Sequence, residues 1–281
     1  MTAGPGRVPR HVSRPGTQQE IANYMSEPIL DIKGLNKSFG PVHVLHDVDF
    51  SVRAGEVTAL VGDNGAGKST LVKCIAGIHP YDSGAVRFNG EDAHIRGPKD
   101  AAHLGIEVVY QDLALADNLD IVQNMFLGRE RGSGWKLDEA SMEQAARETL
   151  ASLSVRTVKS VRTPVSSLSG GQRQTVAIAK SVLWNSKVVI LDEPTAALGV
   201  AQTRQVLDLV RRLAEQGLGV VLISHNMADV FEVADRIAVL YLGRLVTEVH
   251  TKDVTHGQVV ELITAGRSGD LGLARPEAVV L

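Results

Sequence analysis

The 281-residue sequence predicts an α/β fold with a mostly parallel sheet, an antiparallel β portion and an inserted α-helical sub-domain. Three patterns indicate this fold. A glycine-rich loop joins a short apolar strand to a helix near residue 62. Strands and amphipathic helices alternate from about residue 187 onward. Between about residues 112 and 176, only helical patterns are found.

The first part of the chain contains both β portions of the predicted fold. We predict two strands joined by a turn from ILDIKGLNKSF and VLHDVDFSV. A short buried strand, EVTALVG, leads into the glycine loop and the helix KSTLVKCIAG, where Gly77 suits the C-terminal cap. AVRFNG then predicts a strand that ends in a turn at Asn89 and Gly90, and GIEVVYQD predicts another strand.

The later elements complete the predicted layers. We predict helices from NLDIVQNMFLG and LDEASMEQAARETLASL, with no strand between them. Alternation resumes with KVVILDE, AQTRQVLDLVRRLAEQG, GVVLISH, MADVFEVAD and RIAVLYLG. We expect one domain over 28–250, with the helical sub-domain at about 112–176, and a C-terminal helix and tail over 251–281. Residues 1–27 are basic and rich in Gly and Pro, so a disordered tail is expected there.

Composition restricts the possible functions. The formal net charge is −3, which implies no general attraction to nucleic acid or to anionic lipid. The single cysteine, Cys74, rules out an internal disulfide, and a small buried apolar role is expected for it. No apolar run approaches the roughly 18–20 residues that a membrane-spanning helix needs.

The loop GDNGAGKST matches the phosphate-binding pattern G-x-x-x-x-G-K-[ST], with a strand before it and a helix after it. Its glycines let backbone N–H groups turn toward phosphate oxygens, and the helix N-terminus adds positive potential. We expect Lys68 to reach the β- and γ-phosphates and the Ser69 hydroxyl to bind Mg²⁺. The predicted nucleotide-binding residues of this loop are Gly62, Asp63, Asn64, Gly65, Ala66, Gly67, Lys68, Ser69 and Thr70.

Two adjacent acids end the apolar strand VVILDE. Buried carboxylates are costly unless positive partners meet them, and Mg²⁺ and Lys68 would be such partners. We expect Asp192 to hold Mg²⁺ beside Ser69, and Glu193 to orient and deprotonate an attacking water. A solvated acidic turn is the alternative for an isolated pair of this kind.

LSGGQRQ resembles the signature motif of ABC-transporter ATPases and directly precedes a helix. The resemblance, which covers about residues 28–250, implies a P-loop NTPase core that binds ATP. It also implies a head-to-tail dimer in which the signature faces the nucleotide of the other subunit. The residues that would form this cradle are Ser169, Gly170, Gly171 and Gln172.

Four single residues extend or depart from the resemblance. It implies that Gln111 is the Q-loop residue, which senses Mg²⁺ or water and couples to membrane partners. It implies that His225 is the switch histidine at the γ-phosphate, and that Phe39 stacks on adenine. Gly199 departs from the pattern, because the family's D-loop usually has aspartate there. This departure affects the expected communication between subunits and leaves nucleotide binding unaffected.

The stretch VVYQDLALADNLDIVQNMFLGRE, together with SHNM, resembles the ATPases of bacterial monosaccharide importers of the ribose, xylose and fructose group. This resemblance implies an ATP-hydrolysing subunit at the cytoplasmic face of the membrane. The implied partners are a second copy or another ATPase, separate membrane-spanning permease subunits and an extracytoplasmic solute-binding protein, with no nucleic acid. The rivals are an ABC subunit that imports another solute, a soluble ABC ATPase acting on ribosomes or DNA, and a metabolite kinase. LSGGQ argues against the kinase.

Overall fold

The computed structural model describes residues 27–272 except 134, 156 and 270. The predicted tail therefore lies outside the described residues apart from Glu27. The elements of the first part of the chain are β1 (Leu30–Phe39), β2 (Val42–Val52), β3 (Val57–Val61), α1 (Lys68–Ile75), β4 (Ser83–Phe88), β5 (Glu91–Asp92), α2 (Pro98–Leu104) and β6 (Ile106–Val109). The remaining elements are α3 (Ile121–Phe126), β7 (Gly132–Ser133), β8 (Lys136–Leu137), α4 (Glu139–Ser152), α5 (Gly170–Val182), β9 (Val188–Asp192), α6 (Val200–Glu215), β10 (Gly219–Ile223), α7 (Met227–Val233), β11 (Arg236–Tyr241), β12 (Arg244–His250) and α8 (His256–Ala265), with 3₁₀ turns at Val165–Ser167 and Thr251–Asp253.

The central sheet has six strands in the order β12-β11-β3-β10-β9-β6, and all of them except β12 run parallel to their neighbours. Its middle strands are almost wholly apolar and buried, as expected for a parallel sheet that is covered on both faces. Since β3, β10 and β9 are adjacent and parallel, their carboxyl ends meet at one edge of the sheet. Ligands of open α/β sheets bind at such an edge.

The second sheet is antiparallel, in the order β2-β1-β4-β5. It packs with α1 and α2 against one face of the central sheet, while α3 to α8 contribute to the core on the other face. Alternate residues of β3 enter these two cores: Leu60 faces the first, and Ala59 and Val61 face the second. The mostly parallel sheet and the separate antiparallel portion confirm the predicted α/β fold.

The helical sub-domain differs from its prediction in one respect. A short hairpin, β7 paired with β8, lies between α3 and α4, so the prediction of helices without strands was wrong there. Its strands are two residues long, which is too short for an alternating pattern to show in the sequence. The predicted C-terminal limit, Val176, falls inside the continuous helix α5, which packs on α3 and α4 and also on β6.

Local turn chemistry follows the sequence. Gly77 has a left-handed φ of 71° just after α1, as its predicted capping position requires. Asn89 and Gly90 both have positive φ, which is typical of a tight hairpin turn. The predicted C-terminal helix is α8, and none of the described helices is long and apolar enough to cross a bilayer.

Candidate nucleotide site

The glycine loop turns from β3 into α1 with no room for a side chain at two of its glycines. Gly67 has a φ of 106°, and a Cβ there would lie 2.8 Å from Leu45 Cδ2. A Cβ on Gly62 would meet the carbonyl oxygen of Leu240. Only glycine allows both the left-handed backbone at 67 and the close approach at 62. At these two positions the loop backbone therefore lies directly against Leu240 and Leu45.

Lys68 is folded over this loop. Its Nζ donates hydrogen bonds to the carbonyl oxygens of Gly62 at 2.7 Å and Asp63 at 3.1 Å. Burial lowers the pKa of Lys68, and the nearby carboxylates of Glu193, Asp63 and Asp192 act in the opposite direction. The loop thus holds a half-buried ammonium group that contacts two backbone carbonyl oxygens and lies near three carboxylates.

The two predicted acids lie at the carboxyl end of β9. Glu193 has a φ of 50° and donates its backbone N–H to the Ile223 carbonyl oxygen at 2.9 Å, which ties the chain after β9 to β10. Burial raises the pKa of Asp192, the negative charge of Glu193 adds to the rise, and Lys68 and Lys73 oppose it. Asp192 is therefore a carboxylate whose ionised form a nearby cation would stabilise.

His225 follows β10 and meets Glu193 directly. His225 Nδ1 lies 2.8 Å from Glu193 Oε2. The histidine side chain is 78% exposed, whereas that of Glu193 is only 17% exposed. The pair thus places an accessible imidazole against a largely covered carboxylate at the edge where β9 and β10 end.

Most predicted residues surround two adjoining cavities. The first has a volume of about 380 Å³ and is lined by Val44, Asn64, Gly65, Gly67, Lys68, Ser69, Thr70, Gln111, Asp192, Glu193 and Ile223. The second, of about 580 Å³, is lined by Gly62, Asp63, Asn64, Gln111, Glu193, Ser224, His225, Met227, Val260 and Ile263. The glycine loop, the acids, Gln111 and His225 are therefore brought to one place. Ala66, a buried residue of the same loop, lines neither cavity.

Val44, Val260 and Ile263 were missed by the sequence reasoning. Val44 lies on β2, where its apolar side chain has the same pattern as a core residue. Val260 and Ile263 lie on α8, more than 60 residues along the chain from Glu193 in the sequence. No local motif distinguishes these positions from ordinary packing, so only the three-dimensional structure shows that they border the site.

The predicted signature cradle lies elsewhere. Ser169 is the N-cap of α5, and its hydroxyl accepts a hydrogen bond from the Gln172 backbone N–H at 3.4 Å. The side-chain oxygen of Gln172 in turn accepts a hydrogen bond from the Ser169 backbone N–H at 2.9 Å, so the two residues form a capping box. Within the described part of the chain, neither cavity is lined by residues 169–172 or by Phe39. The Phe39 ring instead meets the edge of His79, with ring centres 5.1 Å apart.

Gly199 begins helix α6 without a capping side chain. Its φ is −75°, a value that any residue adopts, so the backbone does not require glycine here. Gln202 accepts the Gly199 N–H at 2.8 Å through its side-chain oxygen. The same glutamine lies beside Gly171 at the start of α5, because a Cβ added to Gly171 would be 2.9 Å from Gln202 Cβ. The backbone N–H of the predicted D-loop glycine is thus hydrogen-bonded to a glutamine side chain on the first turn of α6.

Comparison with known proteins decides the family. The model of the ABC transporter family matches residues 45–196. The chain belongs to the ABC transporter family. This membership confirms the resemblance that LSGGQRQ and the glycine loop predicted, and an ATPase activity is general to the ATP-binding proteins of this family.

Curated relatives of this ABC protein are sugar-import subunits. It is 48% identical over 248 residues to the fructose import ATP-binding protein FrcA of Rhizobium meliloti, covering 86% of this chain and 95% of that protein. It is 43% identical over 245 residues to the xylose/arabinose import ATP-binding protein XylG of Sulfolobus acidocaldarius, covering 87% and 97%. It is 37% identical over 246 residues to a ribose import ATP-binding protein of Escherichia coli O157:H7 and spans 48% of that longer protein.

Solved structures of the same family share the fold. A nucleotide-free ATP-binding cassette from an ABC transporter gives a TM-score of 0.72 at 27% identity, covering 80% of this chain and 92% of that one. The structure of cbiO1 from Clostridium perfringens gives a TM-score of 0.71 at 28% identity, covering 88% and 99%. The ABC ATPase fold predicted from the sequence is thus confirmed.

Proposed function

We propose that this chain is the ATP-binding and ATP-hydrolysing subunit of an ABC importer that takes up a monosaccharide. One observation supports the ATPase activity most directly: the glycine loop, the Asp192–Glu193 pair, Gln111 and His225 line two adjoining cavities. The names of the curated relatives, which import fructose, xylose, arabinose or ribose, support the substrate class.

The glycine loop would bind the nucleotide phosphates. Backbone N–H groups of the loop would provide donors, and the N-terminus of α1 would add positive potential. Lys68 would exchange its two carbonyl contacts for phosphate oxygens, which are stronger acceptors for a buried ammonium group. Phe39, which has an exposed ring at the end of β1, would stack on adenine.

The donor set at the cavity fits Mg²⁺. Among the described residues, no three His, Cys, Asp or Glu side chains are close enough to hold a metal ion by themselves. Mg²⁺, however, typically takes one or two carboxylates together with substrate phosphates. Ser69, Gln111 and Asp192 would supply hard oxygen donors, and burial of the Asp192 carboxylate favours a nearby cation. When bound, Mg²⁺ neutralises charge on the phosphates.

Glu193 and His225 would carry the hydrolytic step. Glu193 would accept a proton from a water that attacks the γ-phosphate. His225, which contacts the Glu193 carboxylate, would hold that carboxylate in position and contact the γ-phosphate. Gln111 borders both cavities and would orient the same water.

A second subunit would complete the site. Ser169 and Gly170 at the start of helix α5 are exposed and line neither cavity of their own chain, so a neighbouring nucleotide would have access to them. In this arrangement two chains, or this chain and another ATPase, would enclose two ATP molecules head to tail. Separate permease subunits and an extracytoplasmic solute-binding protein would complete the importer, with this chain at the cytoplasmic face of the membrane and without nucleic acid.

ATP hydrolysis by a reconstituted complex tests the proposal. The chain would be co-purified with its candidate permease, placed in vesicles with the binding protein, and supplied with fructose, xylose or ribose. We expect hydrolysis that one of these sugars stimulates and that Lys68→Met abolishes. Hydrolysis that no monosaccharide stimulates would refute the substrate class, and an inactive complex would refute the ATPase assignment. The isolated chain should bind none of the sugars in calorimetry.

A further inference from the structure

A buried aspartate joins the two loops that carry Glu193 and His225. Asp229, on the first turn of α7, is only 5% exposed. Its Oδ2 accepts a hydrogen bond from the Thr195 hydroxyl at 2.7 Å, and its Oδ1 accepts one from Asn226 Nδ2 at 3.0 Å. Thr195 lies two residues after Glu193, and Asn226 directly follows His225. One carboxylate therefore holds both loops.

These bonds close a ring of short links. Glu193 and His225 touch at one side of the ring, and the Thr195–Asp229–Asn226 hydrogen bonds close the other side. Two further bonds fix the His225 loop: the Asn226 N–H donates to the Ser224 hydroxyl, and Asn226 Oδ1 accepts the Ala228 N–H, both at 3.0 Å.

The exposure of His225 makes these anchors important. An imidazole that is 78% exposed has little packing to hold its ring, so its position depends on the backbone of its loop. The loop in turn is held by hydrogen bonds rather than by a long helix, because α7 has only seven residues. The burial of Asp229 strengthens the argument, since a buried carboxylate is tolerated only when it is well paired.

We propose that Asp229 is a positioning residue for ATP hydrolysis, which keeps the Glu193 and His225 loops in register. This inference rests on the proposed ATPase function. Asp229 lines neither of the two cavities, so it would act through Thr195 and Asn226 rather than on the nucleotide. Small displacements of catalytic groups lower rates by as much as about 100-fold.

The test compares Asp229→Ala with Asp229→Asn in the full chain. Alanine removes both acceptors, and we expect kcat to fall by about 10- to 100-fold with little change in the KM for ATP. Asparagine can accept from Asn226 through its oxygen and donate to the Thr195 hydroxyl through its amide, so we expect it to retain most of the activity. Glu232→Ala, an exposed acid on the same helix, is the matched control.

A double-mutant comparison separates positioning from general destabilisation. Because Asp229 acts in part through the His225 loop, adding Asp229→Ala to His225→Ala should lower kcat by a smaller factor than Asp229→Ala does in the unaltered chain. If the alanine variant does not fold, Thr195→Val replaces it in the test, because it removes one of the two hydrogen bonds to Asp229. We expect Thr195→Val to lower kcat without altering the binding of a fluorescent ATP analogue. Equal loss in the asparagine and alanine variants, or full multiplication with His225→Ala, would overturn the inference. An inactive unaltered chain would instead refute the proposed function.

Discussion

Glu193→Gln is the most direct test of the proposed chemistry. Glutamine has the same shape and keeps a polar group 2.8 Å from His225 Nδ1, so the packing at the end of β9 should be unchanged. What it loses is the ability to accept a proton from water. We therefore expect the variant to fold, to bind ATP and to fail in turnover.

The size of the effect follows from the proton transfer alone. A positioned general base contributes about 10²- to 10⁴-fold to a rate. At about 1.36 kcal/mol for each tenfold change, this corresponds to roughly 3–5 kcal/mol of activation free energy. ATP affinity should not fall, because the substitution removes a negative charge beside the Asp192 carboxylate and the phosphate cavity.

Two measurements decide the outcome. Steady-state phosphate release gives kcat, and light scattering at saturating ATP reports whether the stalled protein is a dimer. We expect a slow enzyme with twice the monomer mass, with Lys68→Met as the monomeric control. A variant that turns over within about threefold of the unaltered chain would refute Glu193 as the base. A stalled variant that stays monomeric would show that another ATPase supplies the second signature.

Four further outcomes are expected. Lys68→Met should abolish binding of a fluorescent ATP analogue, because it removes the cation of the phosphate loop; retained affinity would contradict its role. Asp192→Asn should raise the melting temperature of the nucleotide-free protein at neutral pH. The pKa of Asp192 is higher in the folded protein than in the unfolded chain, so ionisation of this carboxyl lowers the free energy of unfolding at neutral pH. Asparagine avoids that loss. The rise in melting temperature should therefore shrink as the solution is acidified and Asp192 becomes protonated. Burial raises the pKa of Cys74 to about 11, so alkylation by iodoacetamide at mildly alkaline pH should require denaturation. Gly199→Asp should add a few tenths of a kcal/mol to the free energy of unfolding, because it supplies a side-chain cap to α6, and equilibrium urea unfolding would measure this.

The parts of the site that the sequence predicted are short motifs, each of which directly adjoins a strand or a helix. The glycine loop needs only a strand before it and a helix after it, and both are present at β3 and α1. The acids at the end of β9 and the histidine after β10 could be predicted from their strands, because parallel pairing brings the carboxyl ends of the strands together. Gln111 followed from resemblance rather than from local physics.

The parts that were missed depend on contacts between distant residues. Thr195 and Asp229 are 34 positions apart, and neither has a local pattern that indicates the other. The contact between Glu193 and His225 likewise depends on how two loops turn after their strands. The hairpin Gly132–Leu137 was missed for a different reason, since two-residue strands carry no periodic signal.

Contacts between the signature motif and the residues around Gly199 suggest a way for two subunits to communicate without an aspartate at position 199. The Leu198 side chain lies beside Gly170, where a Cβ would be 3.3 Å from Leu198 Cδ2, and Gln202 fills the space beside Gly171. Gln202 also holds the Gly199 N–H. The signature glycines therefore lie beside Leu198, in the loop that follows Glu193, and beside Gln202 on the first turn of α6. In the proposed dimer, a partner's nucleotide seated on the signature would act on this loop through contacts that need no aspartate side chain.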